Sequence, residues 1–256
     1  MSEPEPANPT ACLIVIGNEV LSGRTQDANL RHLAVRLGAL GIPLREARVI
    51  PDVPDVIVRT VNEVRAAFDH VFTTGGIGPT HDDITSECIA AAFGVPWEPH
   101  PEAWAKMAAA YQPGEFNAAR QRMATMPRGA RLIETTISIA PGFSIGNVHV
   151  MAGVPRVMQA QFESLAPHLG RGRPVISRAV HTRGVPEGRI AEGLAAIQAR
   201  YPALDLGSYP YYRTHGNGVA IVAKGTDAAA AERAIAEVTA LMRDLGGEPV
   251  AGEPAE

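Results

Sequence analysis

Cysteine, aromatic side chains and long apolar runs are all scarce in this sequence. Only Cys12 and Cys88 occur among the 256 residues, so no disulfide framework is predicted. Aromatic residues make up 5% of the chain and leave few rings on which single-stranded nucleic acid could stack. The formal net charge of -4 disfavours a broadly basic nucleic-acid surface. No apolar run reaches the roughly 18 residues of a membrane-spanning helix. We therefore expect a cytoplasmic protein that contacts neither nucleic acid nor membrane directly.

The residues that are abundant describe a globular chain with a substantial core. Hydrophobic residues account for 46% of the sequence and charged residues for 20%, a balance typical of folded domains. A length of 256 residues allows one or two domains. Residues 1–10 contain three prolines and two glutamates and almost nothing that a core could bury. We expect a disordered tail there.

Short apolar runs alternate with helical periodicity between residues 11 and 170. The runs at Ala11–Ile16, Leu44–Ile50, Val71–Thr74 and Val148–Met151 have the length and composition of buried strands. Amphipathic helices are predicted in the intervals between them, for example from Thr85 to Phe93. Alternating strands and helices favour an α/β domain whose mostly parallel sheet is covered by helices on both faces.

The last third of the chain predicts a second, smaller domain. Gly170–Pro174 is the best candidate for a linker, because it consists only of glycine, arginine and proline. Three strands and two helices are predicted between Val175 and Leu245. These elements suit a small α+β domain over residues 171–256.

The strongest candidate for a binding site follows the third predicted strand. Three glycines within four positions, Gly75, Gly76 and Gly78, let the backbone approach a ligand closely. The helix predicted from Thr85 would direct its unpaired N–H groups toward an anion. Ligands of open α/β sheets lie beyond the carboxyl ends of the strands. The loop therefore predicts phosphate binding, although its spacing matches neither the dinucleotide fingerprint nor the Walker motif.

Two adjacent carboxylates, Asp82 and Asp83, end the same loop. Carboxylates beside a phosphate repel it unless a divalent cation bridges them, and a partly hydrated Mg²⁺ is the usual bridge. The pair therefore predicts a metal next to the bound phosphate. An alternative that stays open at this stage is that Asp83 caps the helix that follows.

Polar residues also follow the first two predicted strands. Gly17–Gly23, which includes Glu19, and the nearby Asp27 suit a pocket wall whose acidic groups form hydrogen bonds or contact metal-bound water. Asp52 follows the second strand and would project toward the same rim. Taken alone, the first segment is an ordinary loop and Asp52 is a turn or helix-start residue.

The combined motifs resemble a known family. Thr74–Thr85, taken with Gly17–Gly23, Asp27, Asn29 and Gly153–Pro155, closely resembles the molybdopterin-binding domain of MoaB and Mog proteins. The N-terminal half of CinA, the competence/damage-inducible protein A, shares this domain, and a domain of eukaryotic FAD synthases is similar. The resemblance spans roughly residues 11–169. Residues 175–245 look like the small extension of CinA-type proteins.

The resemblance implies a fold and a set of site residues. The fold is a three-layer α/β/α MoaB-like domain with a mostly parallel sheet, followed by a small C-terminal α+β domain. Asp83, Asp52 and Asp82 are implied as catalytic residues. Asp83 and Asp82 would also hold Mg²⁺ or another divalent metal such as Co²⁺ or Mn²⁺. The implied phosphate- and nucleotide-binding residues are Thr74, Gly75, Gly76, Gly78, Pro79, Thr80, Thr85, Glu19, Gly23, Asp27, Asn29, Gly153 and Pro155.

The chemistries of the family lead to two hypotheses about function. Molybdopterin adenylyltransferases use aspartates that match Asp52 and Asp83 by motif in Mg²⁺-dependent AMP transfer. CinA-like relatives resemble pyrophosphatases acting on ADP-ribose, and the FAD-synthase relatives hydrolyse FAD. The leading hypothesis is a divalent-metal-dependent enzyme that hydrolyses a nucleotide pyrophosphate such as ADP-ribose or FAD. The alternative is a molybdopterin-binding protein or molybdopterin adenylyltransferase of molybdenum-cofactor biosynthesis, with molybdopterin as its ligand.

Further expectations come with the resemblance. Relatives form dimers or trimers, so we expect a homo-oligomer. The chain ends where the CinA domain that deamidates nicotinamide mononucleotide would begin, so we expect that activity to be missing. A non-enzymatic accessory role in competence or DNA damage is suggested by the family name alone. The acidic composition and the few aromatic residues disfavour the direct DNA contact that such a role would need.

Overall fold

The chain folds into two compact units that divide between Gly172 and Arg173. The computed structural model describes residues 7–213 and 216–254. The division lies within the segment that the sequence suggests as a linker. Residues 1–6 of the predicted tail lie outside the described residues. Residues 7–10 form neither helix nor strand, but the N–H and hydroxyl of Thr10 donate to Asp69 Oδ2 at 2.7 and 2.9 Å.

A six-stranded, mostly parallel sheet forms the centre of the N-terminal unit. The strands described in this unit are β1 (Ala11–Ile16), β2 (Leu44–Ile50), β3 (His70–Thr74), β4 (Trp97–Pro99), β5 (Thr125–Pro127), β6 (Arg131–Ile133), β7 (Gly142–Ile145) and β8 (Val148–Met151). Their order in the sheet is β2-β1-β3-β8-β7-β6. The first four of these run parallel, and β7 and β6 are antiparallel at one edge. Strands β4 and β5 form a separate antiparallel pair.

Helices cover both faces of this sheet. The helices described in the unit are α1 (Asn18–Leu21), α2 (Asn29–Ala39), α3 (Pro54–Ala67), α4 (Thr85–Phe93), α5 (Pro101–Ala110), α6 (Ala118–Arg122) and α7 (Pro155–Leu165). Every residue of β1 is buried. Cys12 and Ile14 pack into a core shared with α3 and α4, whereas Leu13 and Val15 pack into a second core shared with α2 and α7. The predicted three-layer α/β/α architecture with a mostly parallel sheet is confirmed.

The structure departs from the sequence prediction in the middle of the unit. The sequence predicts a largely helical stretch from Pro99 to Met126 with a break at Pro113 and Gly114. It contains α5 and α6, which are separated by irregular residues 111–117 and followed by β5. Strands β4 to β7 are only three or four residues long. Runs of that length are too short for a periodic pattern to reveal them.

The C-terminal unit is a four-stranded antiparallel sheet with two helices. Its described elements are β9 (Ile176–Arg183), α8 (Glu187–Arg200), β10 (Asp205–Tyr211), β11 (Gly218–Gly225), α9 (Ala228–Asp244) and β12 (Val250–Ala251). The strand order is β10-β11-β9-β12. Ile190 of α8 and Val238 of α9 pack with Ile221 of β11 in a core of its own. The structure agrees with the expected α+β class and adds the short strand β12. Among the described residues, no helix combines the length and the apolar character needed to cross a bilayer.

Candidate functional site

Three loops meet at the carboxyl ends of β1, β3 and β8. They are the β1 loop (residues 17–28), the β3 loop (residues 75–84) and the β8 loop (residues 152–154), which leave neighbouring parallel strands at one edge of the sheet. Asn29 Nδ2, at the start of α2, donates to the carbonyl oxygen of Gly153 at 2.9 Å. A Cβ at Gly153 would lie 3.3 Å from Cα of Gly75, so these two loops touch. Together the three loops form one surface, the loop rim.

Gly75 and Gly76 give the β3 loop a path that only glycine can follow. Their φ angles are 102° and 66°, a region in which residues with a side chain are strained. A Cβ would clash with the carbonyl oxygen of Ile16 at the first position and with Oγ1 of Thr85 at the second. Thr85 fixes the turn, because its N–H donates to Gly76 O and its hydroxyl to Gly75 O, both at 3.0 Å. The predicted glycine loop is therefore a fixed backbone turn.

Asp83 folds back onto its own loop. Its Oδ2 accepts hydrogen bonds from the N–H of Thr80 at 2.8 Å and from the Thr80 hydroxyl. A Cβ at Gly78 would lie 2.6 Å from that same oxygen, so the glycine leaves room for the carboxylate. The alternative role of Asp83 as a helix cap is wrong, because Ile84 occupies the N-cap of α4 without a side-chain cap bond. Oδ1 of Asp83 makes no hydrogen bond to any described residue, so it is available to a ligand or cation.

Acidic side chains of the β1 loop, the β3 loop and the segment between β2 and α3 influence one another beside the loop rim. Oδ2 of Asp52 accepts a hydrogen bond from the N–H of Asn18 at 2.8 Å. Burial raises the pKa of Asp52, the bond from Asn18 opposes the rise, and the charges of Glu19 and Asp82 add to it. The pKa of Asp82 is lowered, with the nearby Thr80 side chain as the largest cause. Asp52, Glu19 and Asp82 thus share a region of negative charge, and none of them forms an ion pair with a described lysine or arginine.

Two buried polar atoms beside the loop rim lack a hydrogen-bond partner among the described residues. Asn29 is 3% exposed and its Oδ1 is unpaired, and Thr74 is 1% exposed with an unpaired hydroxyl. An unsatisfied buried polar group costs roughly 1–3 kcal/mol. Native structures rarely keep such groups without a partner such as an ordered water or a bound ligand. Their position at the end of β3 and the start of α2 points to a polar ligand at the rim.

Other predicted residues shape the loops locally. Asp27 Oδ1 accepts a hydrogen bond from the N–H of Leu30 in the first turn of α2 at 2.8 Å, although Ala28 is the N-cap of that helix. Gly23 occupies a turn with a φ of 73°. Pro155 is the first residue of α7, where its missing N–H removes no helical hydrogen bond. Pro79 is exposed on the β3 loop. Asp27, Gly23 and Pro155 therefore have structural roles that the binding hypothesis does not require.

The acidic residues of the rim do not form a preassembled metal site. Within the described ranges, no three histidine, cysteine, aspartate or glutamate side chains group closely enough to hold an ion. Mg²⁺, however, keeps several waters and is bound by one or two carboxylates together with the phosphates of a ligand. Asp82 and Asp83, beside the uncompensated charges of Asp52 and Glu19, suit that kind of binding. The divalent metal stays a prediction.

Arg122 is a candidate that the sequence analysis missed. Its Nη2 donates to the carbonyl oxygen of Asp83 at 3.3 Å, and its guanidinium carbon lies 5.0 Å from the centre of the Trp97 ring. Nη2 of Arg122 also lies 3.8 Å from Oε2 of Glu87 on α4. Helix α6 therefore holds the β3 loop through this one side chain. Arg122 and Asp83 are 39 residues apart, and no local motif links them.

The arrangement can bind an anion and place a proton acceptor beside it. Helix α4 begins where the β3 loop ends, and a helix N-terminus carries partial positive charge. The glycine turn lets a phosphate come close to the backbone. A carboxylate with a raised pKa, as in Asp52, accepts a proton more readily than an ordinary aspartate. Hydrolysis or transfer of a phosphoryl group is chemistry that this set of groups supports.

Sequence comparisons match both units to known families. A family profile described as "Probable molybdopterin binding domain" matches residues 12–171. A second profile, described as "FAD synthase, middle domain", matches residues 174–246. The resemblance to FAD synthases is thus confirmed, and this match falls on the C-terminal unit.

Individual relatives support the same assignment. A protein from Pyrobaculum calidifontis is 36% identical over 212 residues, which cover 79% of this chain and 81% of the relative. A CinA-like protein from Thermosynechococcus vestitus is 32% identical over 250 residues, which cover 93% of this chain and 59% of the relative. The chain therefore spans only part of that CinA-like protein. The crystal structure of CinA from Thermoplasma acidophilum, described as having unknown function, matches with a TM-score of 0.60 and 30% identity, over 64% of this chain and 99% of that one.

Proposed function

Because the chain belongs to the family of molybdopterin-binding domains, which CinA-like proteins share, we propose that its loop rim binds and hydrolyses a nucleotide pyrophosphate with a divalent metal. ADP-ribose and FAD are the proposed substrates. Both contain two phosphates joined by a bridging oxygen and flanked by an adenosine. The match of the C-terminal unit to an FAD-synthase domain supports a nucleotide of this kind.

The observation that carries the proposal is the excess of acidic groups beside a glycine turn. Asp52 shares a region of negative charge with Glu19 and Asp82 of the rim, and none of the three forms an ion pair with a lysine or arginine in the described part of the chain. A bound phosphate would add further negative charge, so the rim favours phosphates only together with a cation. A phosphate-bearing ligand that binds together with its metal supplies the positive charge that the free rim lacks. The unpaired Oδ1 of Asn29 and hydroxyl of Thr74 can form hydrogen bonds with polar groups of the same ligand.

Hydrolysis would require phosphate binding, proton acceptance and metal binding, and different residues at the rim provide each of these. The turn at Gly75 and Gly76, with the N-terminus of α4, binds one phosphate through the backbone. Asp52 accepts a proton from a water molecule, whose oxygen forms a new bond to one phosphorus while the bond from that phosphorus to the bridging oxygen breaks. ADP-ribose then yields AMP and ribose 5-phosphate, and FAD yields AMP and FMN. A divalent ion held by Asp82 and Asp83 would offset the negative charge on the phosphoryl oxygens.

Release of AMP from ADP-ribose and FAD, with Mg²⁺ or Co²⁺ present, tests the proposal. We expect Asp83→Ala to lower the rate about 100-fold or more, the range seen when one electrostatic group of a reaction centre is removed. Asp205→Ala is the matched control, because Asp205 is an exposed aspartate on β10 of the other unit. Its rate should equal that of the unchanged protein. Equal rates for Asp83→Ala and the unchanged protein, or no metal-dependent AMP release from either substrate, would overturn the proposal.

A second candidate is binding of molybdopterin, or transfer of AMP to it. The match of residues 12–171 to a molybdopterin-binding profile favours it, and the buried unpaired atoms of Asn29 and Thr74 suit the polar edge of a pterin. Titration of the protein into molybdopterin, followed by pterin fluorescence, separates the two candidates. Tight binding without hydrolysis of ADP-ribose or FAD would establish this candidate over the first. Absence of binding would remove it.

A further inference from the structure

A cavity lies in the N-terminal unit away from the loop rim. Its volume is about 400 Å³ and it is lined by residues of α5, β6, β7, β8 and the end of α7, none of which belongs to the loop rim. Helix α7 begins next to the β8 loop at Pro155 and reaches the cavity at Leu165. Eleven helical residues span about 15 Å. The cavity and the loop rim therefore lie at opposite ends of this helix.

The cavity floor contains a chain of hydrogen-bonding side chains across three strands. Ser144 of β7 and His149 of β8 are a cross-strand pair and are 3% and 4% exposed. The Ser144 hydroxyl lies 2.9 Å from His149 Nδ1. His149 Nε2 lies 3.3 Å from Nδ1 of His70 on β3. Both Ser144 and His149 line the cavity, so this chain presents a polar group of fixed position to whatever enters.

The chemistry of the chain favours binding over catalysis. The pKa of His149 is lowered to about 3, mainly by burial and further by the nearby His70 and Arg131. An imidazole with so low a pKa is a poor base for activating a serine near neutral pH. A neutral imidazole has one donor and one acceptor nitrogen. If His70 donates to His149, then His149 donates to Ser144, and the Ser144 O–H is free to donate into the cavity.

Charges of both signs surround this floor. Arg131 lies opposite Ser144 on the neighbouring strand, and its guanidinium forms no side-chain hydrogen bond or ion pair with a described residue. Glu102 and Glu134 both pair with a single cation, Lys106, and the distance from Lys106 Nζ to Glu102 is 2.9 Å. The cavity therefore has one unpaired positive group and one negative charge in excess. A dianion such as phosphate would be repelled by the two glutamates. A ligand with one positive and one negative charge would pair with the glutamates through the first and with Arg131 through the second.

We propose that this cavity binds a small amino acid with an apolar side chain. Its carboxylate would pair with Arg131 and accept a hydrogen bond from Ser144. Its ammonium group would balance the excess charge of Glu102 and Glu134. The buried side chain of Leu165 offers an apolar wall for the ligand side chain. A volume of about 400 Å³ is within the range of ordinary small-molecule sites.

Calorimetric titration of the full chain with L-leucine and two analogues tests the charge requirement. 4-Methylpentanoate has the same carbon chain without the ammonium group, and 3-methylbutylamine lacks the carboxylate. We expect leucine to bind, with both analogues and inorganic phosphate at least about tenfold weaker, the effect of losing one charge-assisted hydrogen bond. No heat of binding with leucine would overturn the proposal. Phosphate binding as tight as leucine binding would overturn it as well.

Substitutions locate the leucine site. Arg131→Gln should weaken leucine binding about tenfold or more, and Ser144→Ala should weaken it in the same direction. Arg45→Gln, at an exposed arginine of β2, is the matched control and should leave the affinity unchanged. Asp83→Ala should also leave it unchanged, because it alters only the loop rim. Equal affinity in Arg131→Gln and the unchanged protein would contradict the site, as would loss of leucine binding in Asp83→Ala. Failure of the pyrophosphatase proposal leaves these results unaffected.

Discussion

Asn29 connects the β8 loop to the start of α2, the helix that follows the β1 loop. Its Nδ2 donates to Gly153, which ties the β8 loop to the start of α2. Its Oδ1 is buried and unpaired, so the same side chain has one group for the fold and one group left for a ligand. Replacing the Asn29 Nδ2 donor by an acceptor would break the bond to Gly153 and so lower the stability of the protein even without a ligand.

Asn29→Asp tests that structural role. The substitution removes the donor to Gly153 and buries a carboxylate beside its carbonyl oxygen. We expect the free energy of unfolding to fall by about 2 kcal/mol. Urea denaturation followed by tryptophan fluorescence measures it, because Trp97 and Trp104 both lie in the N-terminal unit.

Asn62→Asp is the control for the same chemical change at a surface position. Asn62 is exposed on α3, and its Oδ1 accepts a hydrogen bond from Arg65 that a carboxylate can also accept. Its unfolding free energy should change by no more than about 0.5 kcal/mol. Equal losses in the two variants would show that the buried bond to Gly153 does not matter.

At the scale of the elements, the amphipathic helices and the buried parallel strands were predictable, whereas the short strands β4 to β7 were not. Helix α4 and strands β1, β2 and β8 lie where the sequence predicts them, because their apolar residues either recur with helical spacing or form buried runs. The glycine loop was predictable from its composition, since positive φ angles at Gly75 and Gly76 need glycine. Residues that form hydrogen bonds with segments distant in the sequence could not be predicted, because no local motif marks them. Arg122 on α6 and Asn18, whose N–H binds Asp52, belong to this group.

The contact between α6 and the β3 loop predicts a local change in dynamics. Arg122→Met removes the donor to Asp83 O but keeps an unbranched side chain near Trp97. We expect amide hydrogen exchange of residues 80–84 to become about tenfold faster, the equivalent of one lost hydrogen bond. Hydrogen exchange measured by mass spectrometry reports this change.

Arg120→Met is the matched control on the same helix. The Arg120 guanidinium carbon lies 4.3 Å from the centre of the Tyr111 ring, and its Nη1 donates to Glu115 O at 2.6 Å. This side chain resembles Arg122 in its contacts but does not reach the β3 loop. Exchange at residues 80–84 should stay unchanged in this variant. Acceleration of the same size in both variants would assign the effect to α6 as a whole.

At the scale of the whole molecule, every residue proposed for the loop rim belongs to the N-terminal unit. The C-terminal unit has its own sheet and core and its own family match. The two units match two separate family profiles, one described as a probable molybdopterin binding domain and one as the middle domain of FAD synthase. The homo-oligomer implied by the family resemblance stays a prediction.

The central claim is that phosphates bind at the glycine turn with their charge balanced beside Asp82 and Asp83. A crystal structure with Mg²⁺ and an ADP-ribose analogue, in which a methylene group replaces the bridging oxygen, tests it most directly. The account predicts a phosphate in hydrogen-bonding distance of the backbone at Gly76 and a metal ion in contact with Asp82 or Asp83. An analogue bound elsewhere on the protein, with the turn at Gly75 and Gly76 free of ligand, would contradict it.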